Sequence, residues 1–135
     1  MSTDENKRIA HQAFEALAAG DLSPLADLLA GDAILHQCGF LEPLPARAVL
    51  EGRFPGQRRI LDREVRLEQS VGEGDRVALH WRTSGRMSDS EAADGEAKPV
   101  SVPAMTFIRF ERGKIAEIWN IQDTATLQSQ LQDWD

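Results

Sequence analysis

Residues 65–84, VRLEQSVGEGDRVALHWRTS, decide the fold. Val65, Leu67, Gln69 and Val71 alternate with Glu64, Arg66, Glu68 and Ser70. A period of two marks a half-buried strand, because successive side chains leave opposite faces of the sheet. The stretch 72–75, GEGD, carries the glycine and aspartate of a tight hairpin turn. Val77, Leu79, Trp81 and Thr83 then alternate with Ala78, His80, Arg82 and Ser84, which predicts a second long strand running back along the first.

Toward the C-terminus the pattern continues. Residues 88–98, SDSEAADGEAK, predict a polar, acidic connection, in which Asp89, Glu91 and Asp94 read as a solvated lid or as solubilising charge. A third long strand is predicted over 100–110, a tight turn over 111–114 and a fourth strand over 115–123. Leu127, Leu131 and Trp134 point to a short final helix or a docked tail. Toward the N-terminus the period becomes helical. Ser2 and Glu5 have capping-box spacing, and Ile9, Ala13, Phe14 and Leu17 form one apolar face of a helix over 2–19 that Gly20 ends. Ser23-Pro24 predicts a second helix, with Ser23 as cap, Leu25, Leu28 and Leu29 on its apolar side and Gly31 as its stop. A short strand is expected over 32–38, a loop over 39–45, a third short helix over 46–52 and a turn at Phe54-Pro55-Gly56. Helices followed by a four-strand meander make an α+β fold. A long twisted antiparallel sheet can curl around the first helix, and the space between them suits a small molecule.

Composition bounds what such a domain does. The 135 residues fit one domain, 1–135, and the net charge of −7 gives no electrostatic footprint for nucleic acid or an anionic membrane. No apolar run approaches the roughly 20 residues of a membrane span. The opening MSTDENKR lacks the apolar core of a signal peptide, and a cytoplasmic location is expected. The single cysteine, Cys38, excludes an internal disulfide and reads as a small buried hydrophobe. No tyrosine is present to act as acid or oxyanion donor. The three histidines (His11, His36, His80) show neither HExxH nor CxxC spacing, so no dedicated zinc site is expected. Neither a glycine-rich nucleotide motif nor a GxSxG elbow occurs.

Several stretches resemble one family. Residues 14–30 (FEALAAGDLSPLADLLA), 32–36 (DAILH), 73–81 (EGDRVALHW), 108–119 (IRFERGKIAEIW) and 120–123 (NIQD) look like the opening helix pair, first strand, central hairpin, closing hairpin and tail approach of the SnoaL-like polyketide cyclases. The resemblance covers most of the chain. It implies the nuclear transport factor 2-like fold, a cone-shaped α+β fold whose curved antiparallel sheet wraps the N-terminal helices. That fold also hosts isomerases, dehydratases, epoxide hydrolases and non-enzymatic binding subunits. The resemblance further implies a homodimer formed by pairing sheets, and chemistry without metal or organic cofactor.

Asp123 is the first candidate for chemistry, because family cyclases use one aspartate near the end of the last strand as general acid/base. An aldol closure removes a proton beside one carbonyl and delivers one to the alkoxide forming at another. A single carboxyl does both if burial lifts its pKa. Alternation sets Trp119, Ile121 and Asp123 on one face, which places the carboxylate beside apolar surface. The alternative is that Asp123 caps the final helix. Some relatives carry aspartate directly after the tryptophan, where this chain has Asn120, an amide that orients a carbonyl but moves no proton. His36 is the second catalytic candidate, as a polariser of a carbonyl or partner of a carboxylate across the cavity; its alternative is a backbone-bonded histidine at a strand end. Gln37 and Cys38 follow it, and one of them must share its neighbourhood.

Trp81 and Trp119 are both expected to face inward and to stack on a planar or polycyclic ligand, or simply to pack. Phe14, Met105 and Phe107 read as pocket wall or core. His80 and Arg82 fall on the face opposite Trp81. Arg109, on the face of Met105 and Phe107, reads as an anion anchor inside the pocket or a surface charge, and Glu117 as a solvated acid near the turn. Three functions follow. The first is a cofactor-independent enzyme acting on a small apolar carbonyl compound, with cyclisation, isomerisation or dehydration as outcome. The second is a binding module with the same pocket and no chemistry. The third is an epoxide hydrolase, which needs Asp123, Arg109 and one further acid to converge.

Overall fold

Ser2 starts the first helix as expected: its side chain accepts a hydrogen bond from the Glu5 N–H, and helix α1 spans Thr3–Ala19. Its end is equally local. Gly20 takes the left-handed conformation (φ 76°), its N–H donates to the Leu17 carbonyl, and the Asp21 N–H donates to that of Ala16. This is a Schellman closure, which a residue with a Cβ disfavours. Ile9, Ala10, Ala13 and Ala16 are buried, whereas Leu17 lies 44 % exposed. The computed structural model describes residues 2–38, 41–50, 61–87 and 97–131. The predicted turn at Phe54-Pro55-Gly56, the acidic residues Asp89, Glu91 and Asp94, and Trp134 lie outside the described residues.

Short helix α2 (Leu25–Leu28) leads directly into strand β1 (Leu29–Gln37). Ser23 does not cap α2, and Pro24 occupies the cap position. The Ser23 hydroxyl and N–H instead donate to the Asp21 carboxylate at 2.7 and 3.2 Å, closing a turn before the helix. Nor does Gly31 stop α2: the helix ends at Leu28, and Gly31 lies within β1 because Leu29 already pairs with Ile115. A two-residue strand β2 (Leu44–Pro45) and one turn of helix α3 (Arg47–Leu50) follow, and the Ala46 N–H donates to the Ala33 carbonyl. The meander is β3 (Leu61–Glu73), β4 (Arg76–Met87), β5 (Lys98–Glu111) and β6 (Lys114–Gln122), and helix α4 (Thr124–Leu131) closes the described chain.

One six-stranded sheet results, in the order β2-β1-β6-β5-β4-β3. The meander pairs are antiparallel as expected, and β1 joins β6 in parallel. The sheet is curved and open, so the α+β class and the cone-shaped wrapping of the first helix are as expected. Helix α1 packs across β3 and β4. Gly72 is required there: a Cβ would come within 2.9 Å of the Lys7 and Thr3 side chains. The core lies between α1 and the concave face, with Val77, Leu79, Ile108, Phe110 and Ile115 all buried.

Among the register irregularities of the sheet, two inside the meander change which residues around the candidate site share a face. Leu67 pairs with Trp81 but Gln69 pairs with His80, so Glu68 is an extra residue in β3. Beyond it the alternation inverts: Ser70 and Gly72 meet α1, and Val71, expected on the face of Leu67, is 64 % exposed. In β6 Ala116 is extra, so Ile115 and Ile118 both face the core. Past the end of β6, the edge of β5 is met by α4. The Gln130 side-chain amide accepts from the Ser101 N–H at 2.8 Å and donates to the Ser101 carbonyl at 2.9 Å, as a neighbouring strand would. Leu127 packs on Met87 and Val100. No helix among the described residues is long and apolar enough to cross a membrane.

Candidate functional site

Register decides which candidates meet. Trp81 pairs with Ala104, Asn120 with Thr106, and Gln37 with Asn120. These pairings put Trp81, Thr106, Asn120 and Gln37 on the concave face, beside α1. The Phe14 ring meets the Trp81 ring edge-on at 5.9 Å between centroids. A chain of hydrogen bonds then crosses four strands, β4, β5, β6 and β1. Trp81 Nε1–H donates to Thr106 Oγ1 at 2.9 Å, and Thr106 donates to Asn120 Oδ1 at 2.8 Å. Asn120 Nδ2 donates to Gln37 Oε1 at 3.1 Å, and Gln37 Nε2 reaches Cys38 Sγ at 3.8 Å. All five side chains are partly buried, and the indole, hydroxyl and two amides that make up the chain's first four members carry no charge. Such a surface can stack a flat apolar ring and hydrogen-bond one polar group without desolvating a charge.

A second cluster occupies the convex face. His36 pairs with Trp119 across β1 and β6, and their rings stack at 5.1 Å with planes 10° apart. His36 Nε2–H donates to Glu117 Oε2 at 2.6 Å, and Arg109 Nε–H donates to Glu117 Oε1 at 3.1 Å. The hydrogen bond from His36 holds the Glu117 carboxyl below its ordinary 4.5; burial opposes this and Arg109 adds to it. Arg109, which also pairs with Glu111 at 3.3 Å, is held protonated chiefly by the Glu117 bond. Beside this cluster stand Met105 and Ile121, 59 % and 63 % exposed, and the 40 % exposed Phe107. Phe107 meets Trp119 edge-on at 5.7 Å.

Several expectations are corrected by this arrangement. Trp119 does not face inward with Trp81. Its strand partner is Phe107, three residues from Trp81's partner Ala104, and an odd offset along β5 means opposite faces. Phe107, Met105 and Arg109 follow Trp119 to the convex side, so Arg109 is no anion anchor in the concave pocket; Glu117 and Glu111 occupy its guanidinium. Glu117 is not a solvated acid, since its side chain is only 17 % exposed. His36 bonds neither to backbone nor to a concave-face group but to Glu117.

Asp123 lies one residue beyond β6 and is exposed. Its carboxylate accepts from the Thr126 N–H at 2.9 Å and the Thr126 hydroxyl at 2.6 Å, which is the capping geometry of α4. Those bonds, the hydroxyl's first, lower its pKa, the reverse of the shift that burial would give. Asp123 and Arg109 share no partner among the described residues, so the three-part epoxide-hydrolase relay is not assembled. His80 and Arg82 do lie opposite Trp81: His80 Nδ1 meets Gln69 Nε2 at 3.2 Å, and Arg82 pairs with Glu68 at 3.6 Å. No group of three or more histidine, cysteine, aspartate or glutamate side chains among the described residues is placed to hold a metal ion.

Thr106 is the site residue that sequence reasoning missed, and Glu117 the one it placed in solvent. Glu117 had a signal, since it stands two residues before Trp119 and therefore on its face. Thr106 had one only through the register of β5 on β6, which a tight turn at Arg112-Gly113 sets.

Known proteins agree with this fold. A candidate SnoaL-like polyketide cyclase from Jannaschia sp. CCS1 superposes with a TM-score of 0.79 at 15 % identity, over 96 % of this chain and 92 % of that one. AclR, a candidate hydroxylase from Streptomyces galilaeus, gives 0.77 at 20 % identity, over 96 % and 82 %. IdmH, a candidate polyketide cyclase from Streptomyces antibioticus, gives 0.70 at 25 % identity, over 93 % and 97 %. No curated protein matches the chain significantly. The family model of the SnoaL-like polyketide cyclases matches residues 7–131, and this chain belongs to that family.

Proposed function

We propose that the concave face binds a small, planar, mostly apolar carbonyl compound and orients it without acting on it as a proton donor. One observation carries this reading: the centre of the concave hydrogen-bond chain is the amide of Asn120, while the carboxylates three residues to either side are committed elsewhere, Glu117 to His36 and Arg109 on the convex face and Asp123 to Thr126. An amide aligns and polarises a carbonyl but has no proton to exchange near pH 7. Phe14 and Trp81 supply the stacking surface.

A second reading is favoured by the family match over residues 7–131. It is cyclase-type chemistry, namely aldol closure, isomerisation or dehydration, with Asp123 as acid/base, His36 in support, and no metal or organic cofactor. The two readings separate in one experiment. Planar ketones are titrated by calorimetry, and each mixture is analysed for product by mass spectrometry, with Trp81→Ala and Asp123→Asn alongside. Binding without product, lost in Trp81→Ala and retained in Asp123→Asn, supports the binding reading. Product formation abolished by Asp123→Asn supports the enzyme. Binding untouched by Trp81→Ala overturns the concave site.

The convex face supports a homodimer. Met105 and Phe107 stand opposite Ile121 and Trp119 on neighbouring strands, an apolar centre that monomers seldom expose. Arg76, Arg82 and Arg109 with Glu68 and Glu117 give its rim both signs of charge, which suits a second copy of the same face. Sedimentation at rising concentration checks this; a monomer at high concentration overturns it.

A further inference from the structure

The concave hydrogen-bond chain has a direction, and the direction specifies a ligand group. Trp81 Nε1–H is a donor with no acceptor capacity. Thr106 Oγ1 accepts it at 2.9 Å and spends its single proton on Asn120 Oδ1 at 2.8 Å. The Asn120 amide is thereby turned with oxygen toward Thr106 and nitrogen away. One Nδ2 hydrogen goes to Gln37 Oε1 at 3.1 Å, which turns the Gln37 amide in the same sense. Gln37 Nε2 is left with only the weak acceptor Cys38 Sγ, at 3.8 Å. Among the described residues, one hydrogen of Asn120 Nδ2 and at least one of Gln37 Nε2 meet no oxygen. Both side chains are partly buried on the face that carries Phe14 and Trp81.

We propose that Asn120 and Gln37 form a donor pair that selects ligands presenting an acceptor oxygen (a ketone, quinone or enolate oxygen), and that Trp81 enforces this selectivity by fixing the direction of the whole chain. A ligand offering a ring N–H would meet these unspent N–H donors, and turning the Asn120 amide over to present its oxygen would set the Asn120 nitrogen against the Thr106 proton. The inference rests on the concave face being the binding site. It adds which chemical group is recognised and names a positioning residue, Trp81, that acts through Thr106.

Three isosteric tricycles test it: 9-fluorenone presents an acceptor oxygen, carbazole an N–H donor, and fluorene neither. Calorimetry on the full chain is expected to rank fluorenone about five- to tenfold above fluorene, the range of one net hydrogen bond, with carbazole at or below fluorene. Trp81→Phe keeps an aromatic ring but removes the N–H that sets the direction, and the fluorenone-to-carbazole ratio is expected to fall toward one. Asn120→Leu is expected to bring fluorenone level with fluorene. Equal affinities for the three in the parent protein, or a preference for carbazole, overturn the inference and leave the concave site standing. A preference unchanged in both variants places the recognising donors elsewhere and overturns it too. If none of the three binds, the concave-face reading fails and this inference fails with it.

Discussion

The two faces of the sheet are built from alternate residues of the same strands, yet they are wired in different ways. On the concave face Asn120 and Thr106 join a neutral chain of side chains that begins at an indole and ends at an amide. On the convex face Glu117 and Arg109 join an ionic cluster with His36, flanked by exposed Phe107 and Met105. Neutral groups suit a surface that is to be dried by a ligand, because burying an amide with a partner costs far less than burying a charge. Ions suit a margin where water still reaches them. One strand, β6, therefore carries a neutral hydrogen-bond chain on one side and an ionic, apolar-flanked cluster on the other, one residue apart.

Variants can break this contrast one face at a time. The largest effect is expected at the convex apolar centre. Phe107→Glu would set a charge in the middle of a two-fold contact and weaken association by about a hundredfold or more. Sedimentation reads it, and ligand binding should not change beyond that coupled to dimer loss. Trp81→Ala on the concave face removes a half-buried ring and the anchor of the hydrogen-bond chain. A loss of about 2 to 3 kcal/mol in urea unfolding is expected, together with loss of ketone binding. Glu117→Gln keeps the shape and removes the charge. At pH 7 it should cost about 1 kcal/mol, given partial exposure of the cluster. The pH dependence has a definite sign. Folding lowers the Glu117 pKa below 4.5, so its contribution is complete above the ordinary carboxylate range and is lost as pH falls through the folded value. Parent and Glu117→Gln should converge in acid; a gap that widens there would refute the ionic account. Smallest is Asp123→Ala, which removes only a cap and should lower Tm by a few degrees, with Asp123→Ser restoring it. A large loss of ketone binding in Asp123→Ser would return Asp123 to the site.

Sequence alone carried the element order far. Alternation in residues 65–84 and 100–123, the Ser2–Glu5 cap and Gly20 each report a local preference, and each is realised. What alternation lacks is the relative phase of strands that no tight turn connects. The ten residues between Met87 and Lys98 leave the register of β5 on β4 free, and one step of register moves Trp119 from the face of Trp81 to the opposite face. The extra residues Glu68 and Ala116 have no sequence signature and shift phase again. Asp123 follows the same phase: it shares parity with Trp119, Trp119 looks outward, and the Asp123 carboxylate meets Thr126 rather than apolar surface. Helix capping, legible from Asp123 and Thr126 three apart, was the local preference that prevailed.

The parallel pairing of β1 with β6 has a consequence in time. Gln37 and Asn120 are 83 residues apart in the chain, and His36 and Glu117 are 81 apart. Closing so long a loop has an entropic cost that the meander, with its short turns, does not meet. The meander can therefore assemble while both clusters are still open. Each cluster is completed only when the first strand docks on the last, bringing Gln37 to Asn120 and His36 to Glu117, so the two faces are expected to be finished in the same late step of folding.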